Sequence, residues 1–204
     1  MPETIALVDY GAGNLKSVEN ALRAAGAADI AVTADPATVL AADRIVLPGV
    51  GAFASCMGAL TAIPGMVDAL GEATLRRATP FLGICVGMQL MATLGREHGD
   101  HRGLGWIDGT VAHLEPGDSA LKVPHMGWND VTPLAARHPL IEPGEAYFLH
   151  SYAFTGTEVV AVTDHGGPVT AAIGRANLLG VQFHPEKSQA YGLAFLARFL
   201  AWKP

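Results

Sequence analysis

The sequence predicts an α/β protein with three layers: a mostly parallel central sheet, flanking helices, and antiparallel strands added in the second half. Three observations carry that expectation. In the first half, short apolar runs alternate with stretches whose apolar residues recur at helical spacing, the pattern of a parallel sheet covered by helices. In the second half, strand-like runs follow one another with only turn signals between them, as antiparallel strands do at or over a sheet edge. Finally, Tyr191 to Trp202 carries Leu193, Leu196, Phe199 and Leu200 along a closing amphipathic helix. No linker or internal repeat divides the chain, so residues 1–204 are expected to form one domain. With 204 residues, 50% hydrophobic and 16% charged, it can bury a sizeable core.

Taken in order, Thr4 to Val8 is a short apolar strand, followed by the loop Gly11-Ala12-Gly13-Asn14. Leu15, Val18, Leu22 and Ala25 then repeat at helical spacing until Gly26 stops the helix. This opening is not a nucleotide site. Lys16 occupies the place of the third glycine of a dinucleotide fingerprint, and the Gly-Lys-Ser ending of a phosphate loop is missing. Asp29 to Val32 reads as a second strand, Pro36 to Ala42 as a short helix, and Arg44 to Leu47 as a third strand. That strand runs into Pro48-Gly49-Val50-Gly51-Ala52-Phe53. Ala52 to Leu60 reads as helical, with Cys56 in a small buried apolar role. After the break Ile63-Pro64-Gly65, the residues Met66, Val67, Leu70, Ala73 and Arg77 mark another helix.

Phe81 to Ile84 is a buried strand, and Met88, Leu90, Met91 and Leu94 predict a helix after it. Residues 95–105 are a polar, Gly-rich loop. Its His98 and His101 lack a third ligand at matching spacing, so no metal is expected. The strand-like runs of the second half are Thr110 to Leu114, Leu121 to Val123, Asp130 to Thr132, Ala146 to Leu149, Val159 to Val162, Val169 to Ile173 and Leu178 to Phe183.

Composition excludes several function classes. The net charge is −6 and there is no basic run, which argues against a nucleic-acid surface. The apolar runs are too short to span a bilayer. Met1-Pro2-Glu3-Thr4 lacks the basic-then-apolar plan of a signal peptide. Two cysteines make no disulfide framework, so a reducing, cytoplasmic compartment is expected.

The chemistry centres on Gly83-Ile84-Cys85-Val86-Gly87. The pattern Gly-x-Cys-x-Gly at a strand-to-helix junction is a nucleophile elbow with sulfur in place of the serine oxygen. The turn pushes the thiol into the crevice beyond the strand ends, where ligands of such sheets bind. The start of the following helix favours thiolate, and the free N–H of Val86 can donate to an oxyanion. The glycines around Val50 free the backbone there to aim a second N–H, from the Val50–Gly51 turn, at the same place. A buried structural cysteine and a flexible turn are the competing readings of these two stretches. Further on, His184-Pro185-Glu186 follows the last strand. Residues two apart in an extended chain point the same way, and Pro185 biases His184 toward extended geometry. Glu186 can therefore hold the His184 tautomer while the other ring nitrogen faces Cys85, the nucleophile, base and orienter of acyl transfer.

With these residues in view, the chain resembles the class I glutamine amidotransferases over essentially its full length. The resemblance rests on Asp9 to Leu15, Pro48 to Phe53, Gly83 to Gln89, Pro124 to Asn129, His150-Ser151-Tyr152 and Phe183 to Ser188. The Pro-Gly-Val-Gly and Met-Gly-Trp-Asn forms are similar to the branch that serves imidazole glycerol phosphate synthesis in histidine biosynthesis. The resemblance implies a cofactor-free glutaminase. Cys85 would form a thioester with L-glutamine, His184 would shuttle the proton, and Glu186 would orient His184. Val50, Gly51 and Val86 would make the oxyanion hole. Gln89, Ser151 and Glu97 would bind glutamine. Trp128, Asn129, Tyr147 and Lys187 would meet a partner (β/α)8 cyclase, of the type called HisF, in a heterodimer that passes ammonia between subunits. A glutaminase of another amidotransferase, serving anthranilate or pyridoxal phosphate synthesis, and a non-catalytic binding subunit are the alternatives.

Overall fold

The structure, a computed structural model, describes residues 3–118, 120–135 and 138–204. Met1 and Pro2, part of the N-terminal stretch read above, lie outside the described residues. The first half alternates as the apolar pattern predicts. Strand β1 (Thr4–Val8) leads to helix α1 (Leu15–Ala24), then β2 (Asp29–Thr33), α2 (Pro36–Ala41) and β3 (Arg44–Gly49). Helices α3 (Phe53–Ala62) and α4 (Met66–Gly71) follow, and α4 runs on as a π-helix, Glu72–Arg76. Local chemistry fixes the helix starts. Asn14 accepts a hydrogen bond from the Ser17 N–H at 3.3 Å, and Asp35 accepts from Ala37 and Thr38, both at 3.1 Å.

Strand β4 (Phe81–Cys85) ends at the elbow, and α5 (Val86–Gln89) begins immediately. Here the expectation of a helix through Leu94 is corrected. The helix makes a single turn, and β5 (Ala92–Gly95) replaces the rest. Every residue from Phe81 to Ala92 is buried, so the apolar spacing had no exposed side from which to read a period. The polar stretch after it contains a two-residue strand, β6 (His101–Arg102), paired with Leu94 and Gly95. Next come β7 (Ile107–His113), β8 (His125–Pro133), β9 (Gly144–His150), β10 (Tyr152–Gly156), β11 (Val159–Asp164), β12 (Pro168–Arg175) and β13 (Leu178–Val181). The expected strand at Leu121 to Val123 is absent. Its backbone is spent on a turn instead: the Leu121 N–H donates to Asp118, and the Lys122 carbonyl bonds the His165 ring at 3.0 Å. Strand β10, on the other hand, goes beyond the sequence expectation. After a 3₁₀ turn, Pro185–Lys187, helix α6 (Gln189–Ala201) closes the chain.

Nine strands form one sheet in the order β2-β1-β3-β4-β13-β12-β11-β8-β9. The first five are mutually parallel, and the rest are antiparallel additions at one edge. A second sheet, β10-β7-β5-β6, accommodates the remainder. Right-handed crossovers in the order β2-β1-β3-β4 put α1 on one face and α2 to α4 on the other. The packing agrees: α1 lies against α6, while α2 and α3 lie against α4. The buried Arg44 ties β3 to the end of α6, donating to the Phe199 carbonyl at 3.0 Å and the Trp202 carbonyl at 2.7 Å.

The register of the parallel strands positions the site. Gly49 pairs with Cys85, and Val181 pairs with Ile84. The chain leaving β3 and the chain leaving β13 therefore emerge on either side of Cys85. Two glycines let α5 sit directly on these strands. A Cβ at Gly87 would overlap the Leu47 carbonyl oxygen of β3, and one at Gly83 would lie 2.7 Å from the Gly87 carbonyl oxygen. Both obstacles are backbone, so neither can move aside cheaply. Gly87→Ala is therefore expected to lower the unfolding free energy by roughly 1–3 kcal/mol or more in denaturant titration. An unchanged midpoint would show that α5 can back away from the sheet.

Candidate active site

Cys85 sits at the junction with φ +54° and ψ −113°, a conformation that residues bearing a Cβ rarely adopt. Such strain costs about 1–3 kcal/mol and persists only where surrounding packing over-determines it. The tight contact of α5 with β3 and β4 supplies that packing. Its consequence is a thiol aimed out of the sheet. Because α5 is a single turn, the helix-dipole contribution expected from the sequence shrinks to the free N–H groups of that turn.

His184 reaches the same place from β13. Its backbone is locked: the His184 N–H donates to the Tyr147 carbonyl at 2.9 Å, and the Ser188 hydroxyl donates to the His184 carbonyl at 2.6 Å. Ser188 in turn accepts the Tyr147 N–H at 2.9 Å, which closes a clamp between β9 and the turn. The His184 Nδ1–H donates to Glu186 Oε1 at 2.8 Å, which leaves Nε2 as the ring nitrogen free to serve Cys85. The sequence expectation of an extended i, i+2 pair is corrected in detail. His184 is extended, but Pro185–Lys187 turns as a 3₁₀ helix, and that turn brings the carboxylate to the ring.

Burial acts to lower the His184 pKa, but the hydrogen bonds and charges of Cys85 and Glu186 outweigh it and push the pKa up to about 10. The ring is thereby kept protonated beside the sulfur over the neutral range.

A cavity of about 320 Å³ opens over the sulfur. It brings together Cys85, Val86, His184, Val50, Gly51, Gln89, Ser151, Glu97 and Lys187. Glu186 stands behind His184, outside the lining. The Val50 turn is braced from beneath. The Tyr10 hydroxyl donates to the Pro48 carbonyl at 2.7 Å, and the Cys56 thiol donates to the Val50 carbonyl at 3.3 Å. Cys56 is buried as expected, and burial pushes its thiol pKa up. Two glutamine-binding candidates are partly committed to protein. Glu97 Oε2 accepts the Phe53 N–H at the start of α3 at 2.7 Å. Both amide hydrogens of Gln89 are used, one on the Tyr152 carbonyl and one on Gln182 Oε1, each at 3.0 Å. Only its oxygen is left for a ligand.

The candidate interface residues divide. Trp128 and Tyr147 face each other across β8 and β9, and Lys187 Nζ lies 5.7 Å from the Tyr147 ring centre, so these three form one surface. Asn129 points to the opposite side of β8 and bonds His125. Sequence reasoning did not single out Gln182, whose Nε2–H donates to Cys85 Sγ at 3.6 Å, or His150, which lines the cavity. Among the described residues, no group of three or more His, Cys, Asp or Glu could hold a metal ion.

Comparison with known proteins decides the family. The sequence model for "Glutamine amidotransferase class-I" matches residues 6–201. The chain is 63% identical over 206 residues to "Imidazole glycerol phosphate synthase subunit HisH" of Zymomonas mobilis, covering 98% of this chain and 97% of that one. It is 57% identical over 212 residues to the protein of that name from Rhodospirillum rubrum, covering 98% and 99%. The chain belongs to the HisH family of class I glutamine amidotransferases. Solved structures share the fold of this amidotransferase. PurLQS from Thermotoga maritima matches with a TM-score of 0.71 at 17% identity, covering 98% of each chain. A structure described as glutamine amidotransferase matches with a TM-score of 0.72 at 15% identity, covering 97% of this chain and 99% of that one.

The buried histidines set opposite pH limits on the stability of this amidotransferase. Burial pushes His125, His138 and His150 down to about 4. Between pH 6.5 and 4 the unfolded chain binds more protons at these three rings, so their contribution is lost as pH falls. His184 has the reverse sign. Its stabilisation is full below pH 6.5 and is lost as pH rises toward 10. Denaturant midpoints are expected to peak near neutrality and fall on both sides. A flat profile from pH 4 to 10 would contradict these assignments.

Proposed function

We propose that this chain is the glutaminase subunit of imidazole glycerol phosphate synthase in histidine biosynthesis, releasing ammonia from L-glutamine for a cyclase partner. The observation that carries it is the meeting of Cys85, on its strained elbow, with the Glu186-bound His184 at the floor of one cavity. We assign the whole chain, 1–204, to a single amidotransferase domain, in line with the family match over residues 6–201.

In this reading the Cys85 thiolate attacks the side-chain amide carbon of glutamine and a C–S bond forms. The carbonyl electrons move to oxygen, where the N–H groups of Val86 and of the Val50–Gly51 turn receive the negative charge. The oxyanion collapses, the C–N bond breaks, and protonated His184 gives its proton to the departing ammonia. Neutral His184 then takes a proton from water as it attacks the thioester. Collapse breaks the C–S bond, the new carboxyl group gives its proton to ammonia or solvent as glutamate leaves, and the Cys85 thiolate is restored beside protonated His184. Glu186 holds the ring with Nδ1 protonated throughout, so Nε2 is the atom that works. Ser151, Glu97 and the Gln89 oxygen frame the amino-acid end of the substrate.

The partner is a (β/α)8 cyclase. The surface that fits it is the Trp128–Tyr147–Lys187 group, because Lys187 belongs to both that surface and the cavity wall. A carrier of free ammonia needs its acceptor close by, which favours docking at the cavity rim. We also place the protein in the cytoplasm. Both cysteines are free, and among the described residues no single helix is long and apolar enough to cross a membrane.

Release of glutamate and ammonia, measured with and without the cyclase, tests the reading. Cys85→Ala is expected to lower partner-stimulated kcat by roughly 10³-fold or more, and Glu186→Ala by roughly 10²-fold, leaving weak turnover because nucleophile and base remain. Full stimulated turnover in Cys85→Ala would sink the mechanism. In Glu186→Gln, the loss of negative charge behind His184 should move the alkaline limb of kcat, at saturating glutamine, to lower pH than in the wild type. Superimposed limbs would remove Glu186 from the proton path.

A further inference from the structure

We propose that His125 and His150 are positioning residues for Cys85, acting through a hydrogen-bonded chain that runs from the inner face of β8 to the catalytic thiol. The inference rests on the glutaminase reading of Cys85. The chain can be followed bond by bond. His150 Nδ1 meets the Tyr152 carbonyl at 3.0 Å, and a carbonyl only accepts, so Nδ1 carries the hydrogen. His150 Nε2 must then accept, and His125 Nδ1 donates to it at 3.0 Å. That leaves His125 Nε2 as an acceptor, which takes a hydrogen from Asn129 Nδ2 at 3.0 Å. The second Asn129 hydrogen goes to the Asp164 carbonyl at 2.7 Å, and Asn129 Oδ1 accepts the Asp130 N–H at 2.8 Å.

The Tyr152 carbonyl is the junction with the active site. It also accepts from Gln89 Nε2, whose other hydrogen goes to Gln182 Oε1, and Gln182 Nε2 then donates to Cys85 Sγ. Only one arrangement of hydrogens satisfies every member. Rotating the Gln182 amide by half a turn would set its oxygen against the sulfur and its nitrogen against the Gln89 nitrogen, donor to donor. The direction of the last bond, an N–H offered to the nucleophile, is thereby set by Gln89 and the Tyr152 carbonyl, and His150, as the second donor to that carbonyl, holds it in place. Gln182, Gln89, His125 and His150 are all buried, so water offers no easy substitute and a broken link leaves unpaired groups. Burial also holds both imidazoles neutral, down to about pH 4, so the hydrogen pattern persists over the working range.

The far end of the chain is mechanically exposed. His125 and His150 are paired residues of β8 and β9. His125 is sandwiched between Phe148, with ring centres 4.9 Å apart, and His165, at 4.3 Å. On the opposite face of β8, Met126 is 65% exposed and Trp128 47% exposed. A shift of β8 caused by anything seated on those side chains would move His125 and Asn129 together and reach the sulfur through the chain.

The test is the rate at which a chloroketone analogue of glutamine labels Cys85 in the complex with the cyclase. Maximal rate and half-saturation are measured separately, and thermal melting verifies folding. His125→Phe keeps the stacked ring and removes both nitrogens. Its maximal rate is expected to fall about tenfold with half-saturation within about twofold of wild type. His125→Asn can still donate to His150 from its amide and should recover to within about threefold of wild type. Gln182→Met removes the last link, and the His125→Phe/Gln182→Met double variant should be no slower than its slower parent. If His125→Phe does not fold, Asn129→Ala takes its place in the same cycle. Wild-type labelling in His125→Phe, or a double variant whose loss is the product of the single losses, overturns the inference while leaving the glutaminase reading intact. Failure of Cys85 to label in the wild-type complex overturns both.

Discussion

The contact on which the rest of the molecule depends is the backbone of α5 lying directly on the backbone of β3 and β4. It exists because positions 83 and 87 carry no side chain. That contact holds Cys85 at φ +54° and turns a residue that would otherwise end a buried strand into one whose sulfur faces a cavity. It also fixes the relation of three chain segments that are far apart in sequence. Parallel pairing sets Gly49 beside Cys85 and Val181 beside Ile84 at the carboxyl edge. Whatever leaves β3, β4 and β13 must therefore converge there, and the Val50 turn, the thiol and His184 are what leaves them.

Convergence alone would give a poor nucleophile. A thiol and an imidazole buried side by side each lose hydration, and burial by itself lowers the His184 pKa. Glu186, buried and bonded at 2.8 Å, reverses that tendency together with the charge on sulfur. The carboxylate is in turn affordable only because the 3₁₀ turn and the Ser188 clamp hold it against the ring. The site is thus a balance in which desolvation is offset by geometry, and each geometric element traces to a short local motif placed by a long-range register.

That division explains what the sequence made legible. Alternating apolar runs revealed the parallel half because each strand is continuous and each helix has a wet side, as in α1, where Val18 and Leu22 are buried and Lys16 is exposed. The elbow and His-Pro-Glu were legible because their chemistry is local. The helix expected through Leu94 was not legible as a single turn, since Phe81 to Ala92 are buried on every side and carry no period. Gln182 escaped notice because a glutamine after a strand has no distinctive pattern. Its importance arises only when β13 pairs with β4 and sets it beside Cys85. His125 and His150 are 25 residues apart, and nothing in either neighbourhood says that β8 and β9 will lay one ring against the other. Asn129 illustrates the same limit within one motif. Trp128 and Asn129 are adjacent in sequence, yet strand alternation sends them to opposite faces of β8.

Burying so many polar groups beside a hydrophobic core needs a reason, because two neutral histidines and two glutamines could each be replaced by apolar side chains of similar size. Apolar replacements would pack, but they would leave the sulfur without a directed donor and the Tyr152 carbonyl without partners. Polar groups differ from apolar ones in having direction. His150 and Gln89 share the Tyr152 carbonyl, so in the arrangement proposed here the position of that carbonyl is held from β8 as well as from the neighbours of Cys85. A glutaminase that discharges ammonia with no acceptor in place wastes glutamine. If the Tyr152 carbonyl is held from β8 as proposed, a molecule seated on that edge influences the nucleophile's donor without touching it. The antiparallel strands of the second half thereby do more than cover the sheet: they carry the far end of the catalytic site's own hydrogen-bonding system.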